Sequence, residues 1–313
     1  MYSDPNSVKR ISSLGAGPIG GGWTAHFLAR GYDVTAYLHE KSETNSFMAI
    51  LKTAWVSLEE LGLAPSASMD RLRIVTDLEE ALEGADFVQE SGPERLEVKQ
   101  ELYSEMGRIL PPSIIIGSST SGLMMSDIQS DCSTPERTVI GHPFNPPYLL
   151  PLVEIVGGKR TAPEAVVWAG EFYKAAGKAP LMMKKEIPGF VATRLQEALW
   201  REALHMVAND EATPEDIDNA LMNGPAPRMA AQGQCMAFHV ACGEGGMATN
   251  LDQFGPALKW PWTRLKAPEL TSELRDKMVN GCNEMAGNTN FEDLVSSRDS
   301  AIVKVLNAIG NKK

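Results

Sequence analysis

The segment Leu14-Gly15-Ala16-Gly17-Pro18-Ile19-Gly20 restricts what this chain can become more than any other. It fits the spacing GxGxxG, follows a short β-rich run at 10–14, and precedes an apolar helical run at 23–29. In that setting the glycines have separate tasks: one makes the tight turn, one lets backbone approach a pyrophosphate, and one lets helix and strand pack closely. The helix start then offers N–H donors to the anion. The pattern predicts that Gly15, Gly17, Pro18, Ile19 and Gly20 cradle a dinucleotide. One oddity is Ser12-Ser13, a polar pair in a strand that should be buried.

The chain downstream alternates short β-rich runs with longer helical stretches. Candidate strands fall at 10–14, 33–38, 73–76, 86–90, 114–118, 138–141, 153–156 and 181–185. Alternation of this kind predicts an α/β fold of Rossmann type, a doubly wound and mostly parallel sheet with helices on both faces. Residues 41–70 are too many for one simple crossover, so a helical excursion is expected there. After Ile187-Pro188-Gly189 the strand signals stop and helical stripes take over. Thr213-Pro214-Glu215-Asp216 reads as an N-cap, a first-turn proline and first-turn acids, with Gly224 placed to end that helix. Further helical patterns lie near 272–285 and 291–308. The expected organisation is a dinucleotide-binding domain over 1–188 and an all-helical domain for substrate and dimerisation over 189–313.

Composition removes several classes. The 313 residues carry 29 basic and 40 acidic side chains, a formal net charge of −11. A nucleic-acid binder needs clustered cations to displace phosphate counterions, so that partner is not expected. No apolar run approaches the ~18 residues of a spanning helix, and the polar start with Pro5 does not read as a signal peptide. A cytoplasmic protein without a membrane partner is expected. Cys132, Cys235, Cys242 and Cys282 form no CxxC pair and have no zinc-type spacing, so free thiols and no metal are expected.

The acidic residue that usually accepts from the adenosine ribose is missing at the end of the second strand, where Leu38 stands. Glu40 can substitute from a longer reach, which keeps NAD. His39 and Lys41 facing a 2′-phosphate would instead favour NADP; NAD is the preferred reading.

Two polar clusters follow candidate strands, at the edge where open α/β sheets bind ligands. One is Gly117-Ser118-Ser119-Thr120-Ser121-Gly122. The other is Gly141-His142-Pro143-Phe144-Asn145-Pro146-Pro147, with Glu154 twelve residues after His142. Oxidation of a secondary alcohol by hydride transfer needs a base for the hydroxyl proton, and histidine titrates near neutrality. A carboxylate behind the imidazole fixes its tautomer, and Glu154 in an apolar strand would be costly to bury without such a partner. Ser121 can hydrogen-bond the alcohol oxygen. On residue type alone each has a structural alternative, since an isolated histidine is more often structural and a Ser/Thr/Gly run is usually a turn. A serine nucleophile is disfavoured, because no GxSxG elbow surrounds Ser121.

Together with the glycine loop, three ordered motifs resemble the 3-hydroxyacyl-CoA dehydrogenase superfamily over nearly the whole chain. They are Glu90-Ser91-Gly92-Pro93-Glu94-Arg95-Leu96-Glu97-Val98-Lys99, Ser118-Ser119-Thr120-Ser121, and His142 to Pro147 with Leu152-Val153-Glu154. Pro188-Gly189-Phe190 followed by Arg194-Leu195 resembles that family's entry into its helical domain. The resemblance implies His142 as general acid/base, Glu154 as its orienting partner and Ser121 as the hydroxyl-binding residue. It puts Glu94, Lys99 and Ser119 on the cofactor side, and Phe144, Asn145 and Thr193 on the substrate side, although the family usually has Asn where Thr193 stands. A homodimer through the helical domain is also implied.

Within the superfamily the chain is most similar to L-carnitine dehydrogenases, through Glu197 to Ala203, Gly243 to Met247 and Gln253 to Thr263. A quaternary ammonium is attracted to aromatic faces, and Phe144, Tyr148, Phe254, Trp260 and Trp262 are available. Where those enzymes typically read Gly-Met-Arg-Trp-Ala, this chain reads Ala226-Pro227-Arg228-Met229-Ala230. Arg228 remains to clamp a substrate carboxylate. The expected activity is NAD-dependent oxidation of a small 3-hydroxy acid, L-carnitine or a near analogue. Activity on L-gulonate or a 3-hydroxyacyl-CoA, or a structural role like that of λ-crystallin, stand as alternatives.

Overall fold

The computed structural model describes residues 2–242, 244, 246–256, 260–264, 269, 271–274, 276 and 288–310. The chain forms two compact units, Met1–Ala192 and Thr193–Lys313.

The first unit is built on eight strands: β1 (Arg10–Leu14), β2 (Asp33–Tyr37), β3 (Leu72–Val75), β4 (Phe87–Glu90), β5 (Ile115–Ser118), β6 (Thr138–Pro143), β7 (Leu152–Gly157) and β8 (Ala179–Met182). Their order across the sheet is β3-β2-β1-β4-β5-β6-β7-β8. All neighbours pair in parallel except β6 and β7. The order runs outward both ways from β1 and β4, so a crevice opens above their carboxyl ends.

Helices cover both faces. On one, α1 (Pro18–Ala29) and α6 (Pro163–Ala175) bring Trp23, Phe27, Phe172 and Tyr173 into one aromatic cluster, with Phe87 of β4 4.2 Å from Phe172 between ring centroids. On the other, α4 (Leu96–Ile109) and α5 (Met125–Ile128) contribute Tyr103, Met106, Met125 and Ile128 to a core that includes Leu14, Val88, Ile116, Ile140 and Phe190. The excursion expected within 41–70 is α2 (Thr44–Leu61), which buries Phe47, Leu51, Ala54 and Leu58 along one helical stripe. A short α3 (Leu78–Leu82) precedes β4.

The buried serines of β1 are paid for by local partners. Ser12 Oγ donates to Ala81 O (2.5 Å), and Thr24 Oγ1 donates to Ser13 Oγ (2.9 Å). The last strand differs from the expected 181–185: it starts at Ala179 and includes Pro180, with Leu181 and Met182 exposed. An edge strand tolerates proline because one side of its backbone has no ladder to complete.

In the second unit α7 (Ala192–Ala208), α8 (Pro214–Asn223), α9 (Pro225–Ala241), α10 (Gly246–Phe254) and α11 (Phe291–Gly310) are helical. Thr213 and Asp216 cap α8 reciprocally, and Gly224 ends it. Helix α9 bends at Gly233, whose φ of 76° suits only glycine. Cys282 and most of the expected helix at 272–285 lie outside the described residues. Among the described residues no helix is long and apolar enough to cross a membrane.

Candidate active site

The glycine turn joins β1 to α1, and each glycine is needed for its own reason. At Gly15, φ is +123° and a Cβ would lie 2.4 Å from Ser91 O. At Gly20 a Cβ would lie 2.1 Å from Gly15 O, so helix and turn could not pack. At Gly17 a Cβ would meet nothing within 4 Å. That open space faces the start of α1, where Gly17 supplies no side-chain cap, leaving first-turn N–H groups for an anion.

Around the turn runs a groove of about 850 Å³, lined by residues 14–19, Tyr37, His39, Glu43, Ser91, Gly92, Pro93, Val98, Glu101, Leu102 and Glu105. Its apolar walls, glycine cradle and open helix end fit a dinucleotide. Three carboxylates against one imidazole make it a poor host for an extra 2′-phosphate, in keeping with NAD. Glu40 does not line the groove. Its exposed side chain caps the short turn at 41–43 and accepts from Ser42 Oγ (3.0 Å), while Leu38 is fully buried and Glu43 lines the groove.

Beneath the loops after β4 and β5 lies a buried ion pair. Lys99 Nζ donates to Glu90 Oε1 at 2.6 Å, with both side chains at most 1% exposed. Glu90 also accepts from Ser118 Oγ (2.6 Å) and from the Gly92 backbone N–H (2.6 Å). Satisfied in this way, the pair can sit in low dielectric. Lys99 is therefore placed under the site, whereas the half-exposed Glu94 stands above it, 3.8 Å from Lys99 Nζ. Glu94 Oε1 accepts from Thr120 Oγ1 (2.5 Å) and from the backbone N–H groups of Ser121 (3.0 Å) and Gly122 (3.2 Å). It thus holds the turn carrying Ser121, whose side chain is exposed. Ser119 Oγ meets Trp23 Nε1 (3.1 Å), Gln89 Nε2 (2.8 Å) and Ser91 Oγ (2.8 Å).

His142 and Glu154 are cross-strand partners in the antiparallel β6–β7 pair. Facing residues in such a pair have neighbouring side chains on one face, and His142 Nδ1 donates to Glu154 Oε2 at 2.9 Å. Glu154 is fully buried, and its other oxygen accepts from the backbone N–H groups of Val191 and Ala192 at 2.8 Å each. Burial pushes its carboxyl up, but the hydrogen bonds from His142, Ala192 and Val191 outweigh this and hold it below the ordinary glutamate value. An ionised, acceptor-only carboxylate fixes the proton on Nδ1. Nε2 is then the nitrogen that can exchange a proton with a substrate hydroxyl. Phe144, half-buried, and Phe190, fully buried, pack on the imidazole with ring centroids 5.3 and 5.4 Å away; Asn145 is exposed beside them. Because β5 and β6 are parallel neighbours, Ser121, just past the end of β5, and His142, near the end of β6, lie toward the same edge of the sheet.

The remaining substrate candidates belong to the second unit. Thr193 lies in α7, Arg228 in α9 and Phe254 in α10. Arg228 and Phe254 are exposed, and the Arg228 guanidinium lies 5.9 Å from the centre of the Phe238 ring, across the bend at Gly233. Tyr148 belongs to the first unit's core, and Trp260 and Trp262 form an exposed edge-to-face pair 4.9 Å apart.

Residues 10–187 match the model of the 3-hydroxyacyl-CoA dehydrogenase NAD binding domain, and residues 189–287 match that of the 3-hydroxyacyl-CoA dehydrogenase C-terminal domain. The chain belongs to the 3-hydroxyacyl-CoA dehydrogenase family. It is an NAD-dependent oxidoreductase acting on a CH–OH group. An L-carnitine dehydrogenase of Streptomyces coelicolor is 53% identical over 308 residues, covering 98% of this chain and 97% of that protein. One from Pseudomonas putida is 47% identical over 306 residues, covering 98% and 95%. Among solved structures, an NAD+-dependent 5-formyl-3-hydroxy-2-methylpyridine 4-carboxylic acid 5-dehydrogenase superposes with a TM-score of 0.81 at 26% identity, covering 98% of this chain and all of that one.

Within this member of the 3-hydroxyacyl-CoA dehydrogenase family, the functional residues missed from the sequence are supporting ones. Glu90 and Ser118 were visible only as parts of motifs. Ser91 was likewise visible only within its motif, and Trp23 and Gln89 gave no signal, because three separate segments meet at Ser119 only in the folded sheet.

Proposed function

We propose that this chain oxidises the 3-hydroxyl of L-carnitine, or of a near analogue, to the corresponding 3-oxo acid, 3-dehydrocarnitine in the first case. The observation that carries the substrate class is the similarity to L-carnitine dehydrogenases along 98% of the chain. In this reading His142 Nε2 takes the hydroxyl proton as the carbonyl forms, and Glu154 stabilises the imidazolium that results. Ser121 donates to the alcohol oxygen and so orients C3. NAD, when bound, supplies the acceptor for the hydride that leaves C3. Arg228 pairs with the substrate carboxylate, and an aromatic face, with Phe144 beside His142 the first candidate, receives the trimethylammonium group. Asn145, Thr193 and Phe254 complete the substrate contacts. Glu94 and Ser119 hold the loops at the nicotinamide end.

We also propose a cytoplasmic homodimer formed through the second unit. Its support is the family and the exposure of Leu195, Leu199, Met222, Val240 and Leu251 in the single chain. Light scattering that finds a monomer at assay concentration would contradict the dimer.

The substrate is tested by following reduced nicotinamide with L-carnitine, gulonate, 3-hydroxybutyrate and its coenzyme A thioester, each with NAD and NADP. The highest kcat/KM is expected for L-carnitine with NAD. A higher kcat/KM for the thioester would overturn the small-acid reading.

A further inference from the structure

Ser91 lines the dinucleotide groove, and its hydroxyl belongs to a hydrogen-bond chain that begins in the core. Tyr173 is fully buried, and its phenol hydrogen-bonds Gln89 Oε1 at 2.6 Å. Tyr173 OH packs so tightly against Gly117 and Gly141 that a Cβ there would come within 2.6 and 1.9 Å of it. A buried O–H without an acceptor costs about 1–3 kcal/mol, so the phenol donates to Gln89 and the amide must turn its oxygen toward Tyr173. Its nitrogen then faces Ser119 and donates to Ser119 Oγ at 2.8 Å. Trp23 Nε1, which can only donate, reaches the same oxygen at 3.1 Å.

A serine hydroxyl has two lone pairs and one proton. Both lone pairs of Ser119 are taken by N–H groups, so its proton must go to the remaining neighbour, Ser91 Oγ, at 2.8 Å. Ser91 accepts there and is left with its own proton. Backbone contacts place it against the glycine turn: Ser91 N donates to Leu14 O at 2.7 Å, and Ser91 O faces Gly15. The groove's charged walls, Glu43, Glu101 and Glu105, are acceptors.

We propose that Ser91 is a cofactor-binding residue, a committed hydrogen-bond donor to an oxygen of the second phosphate or second ribose of the bound dinucleotide, the part that ADP-ribose shares and AMP lacks. Trp23, Gln89 and Tyr173 are positioning residues that set the polarity of the chain through Ser119. The inference rests on use of the groove by NAD and is independent of which alcohol is oxidised.

Isothermal titration of wild type and Ser91→Ala with NADH, ADP-ribose and AMP tests it without reference to turnover. Loss of one neutral hydrogen bond should weaken NADH and ADP-ribose equally, by about 3- to 10-fold, and leave AMP unchanged. Unchanged NADH affinity in the variant overturns the proposal. An equal loss for all three ligands also overturns it, because the groove as a whole would then have changed, as does a loss confined to NADH. A wild-type chain that binds no NADH would instead refute the cofactor assignment of the groove.

Discussion

In the first unit Glu90, Lys99 and Glu154 lie at 0–1% exposure and every one meets hydrogen-bonding partners, whereas in the second Leu199, Trp200, Met222 and Val240 are 46–69% exposed. Burying charge is tolerable only when the partners are built in. The first unit therefore holds its buried charges fully partnered, as the proposed proton transfer at His142 requires. The second presents apolar side chains of the kind that mark association surfaces. The difference fits the proposed division, with general chemistry in one unit and selectivity and assembly in the other.

The comparison breaks most sharply at His142. Replacing it by Ala should lower kcat/KM by about 10²- to 10⁴-fold while leaving NADH affinity as in wild type. Turnover that survives the change would remove the proton-transfer centre from the first unit. A second contrast lies inside the glycine turn. Gly17→Ala adds a Cβ where nothing lies within 4 Å, so the apo-protein should melt as wild type. The added methyl occupies the anion's space, and NADH should bind at least about tenfold more weakly. Gly20→Ala, which meets Gly15 O, should destabilise the apo-protein itself. Identical behaviour of the two variants would mean that the turn does not divide packing from binding in this way.

Acid sharpens the comparison further. Burial raises the Glu154 carboxyl, but its hydrogen bonds from His142, Ala192 and Val191 bring it below the ordinary value. Its contribution to stability is thus fully present above the unfolded value of about 4.3 and is lost as pH falls through the lower folded one. The denaturation midpoints of wild type and Glu154→Gln should differ most near neutrality and converge in acid. A pH-independent gap would show that the ionised carboxylate does not stabilise the fold. The smallest effect is expected at Thr213, where Ala removes the reciprocal cap of α8 and should cost about 1 kcal/mol. NADH affinity should not change; if it does, the two units are not separable in the way described.

The sequence made the sheet legible because the period-two runs are short and the helical stretches between them long. It expected a mostly parallel sheet without saying which strand departs, since a parallel and an antiparallel inner strand show the same continuous apolar pattern. It also placed the last strand late, drawn by Leu181 and Met182, which the edge position leaves exposed. The pairing of His142 with Glu154 was legible because a carboxylate in an apolar strand is costly to bury without a partner. Glu40 was named in place of the missing acid, but it caps the turn at 41–43 and lies off the groove, which Glu43, not considered from the sequence, lines. The role of Ser119 was out of reach, since its partners come from α1, β4 and the loop after β4.

The antiparallel pairing of β6 with β7 carries one more consequence. A slip of one residue in that ladder would move Glu154 to the opposite face of the sheet from His142. A misregistered hairpin would be catalytically silent, however compact the rest of the molecule. Specific activity, normalised to bound NADH, therefore counts the fraction of molecules in which this hairpin closed in the right register, and serves as a folding assay for the middle of the sheet.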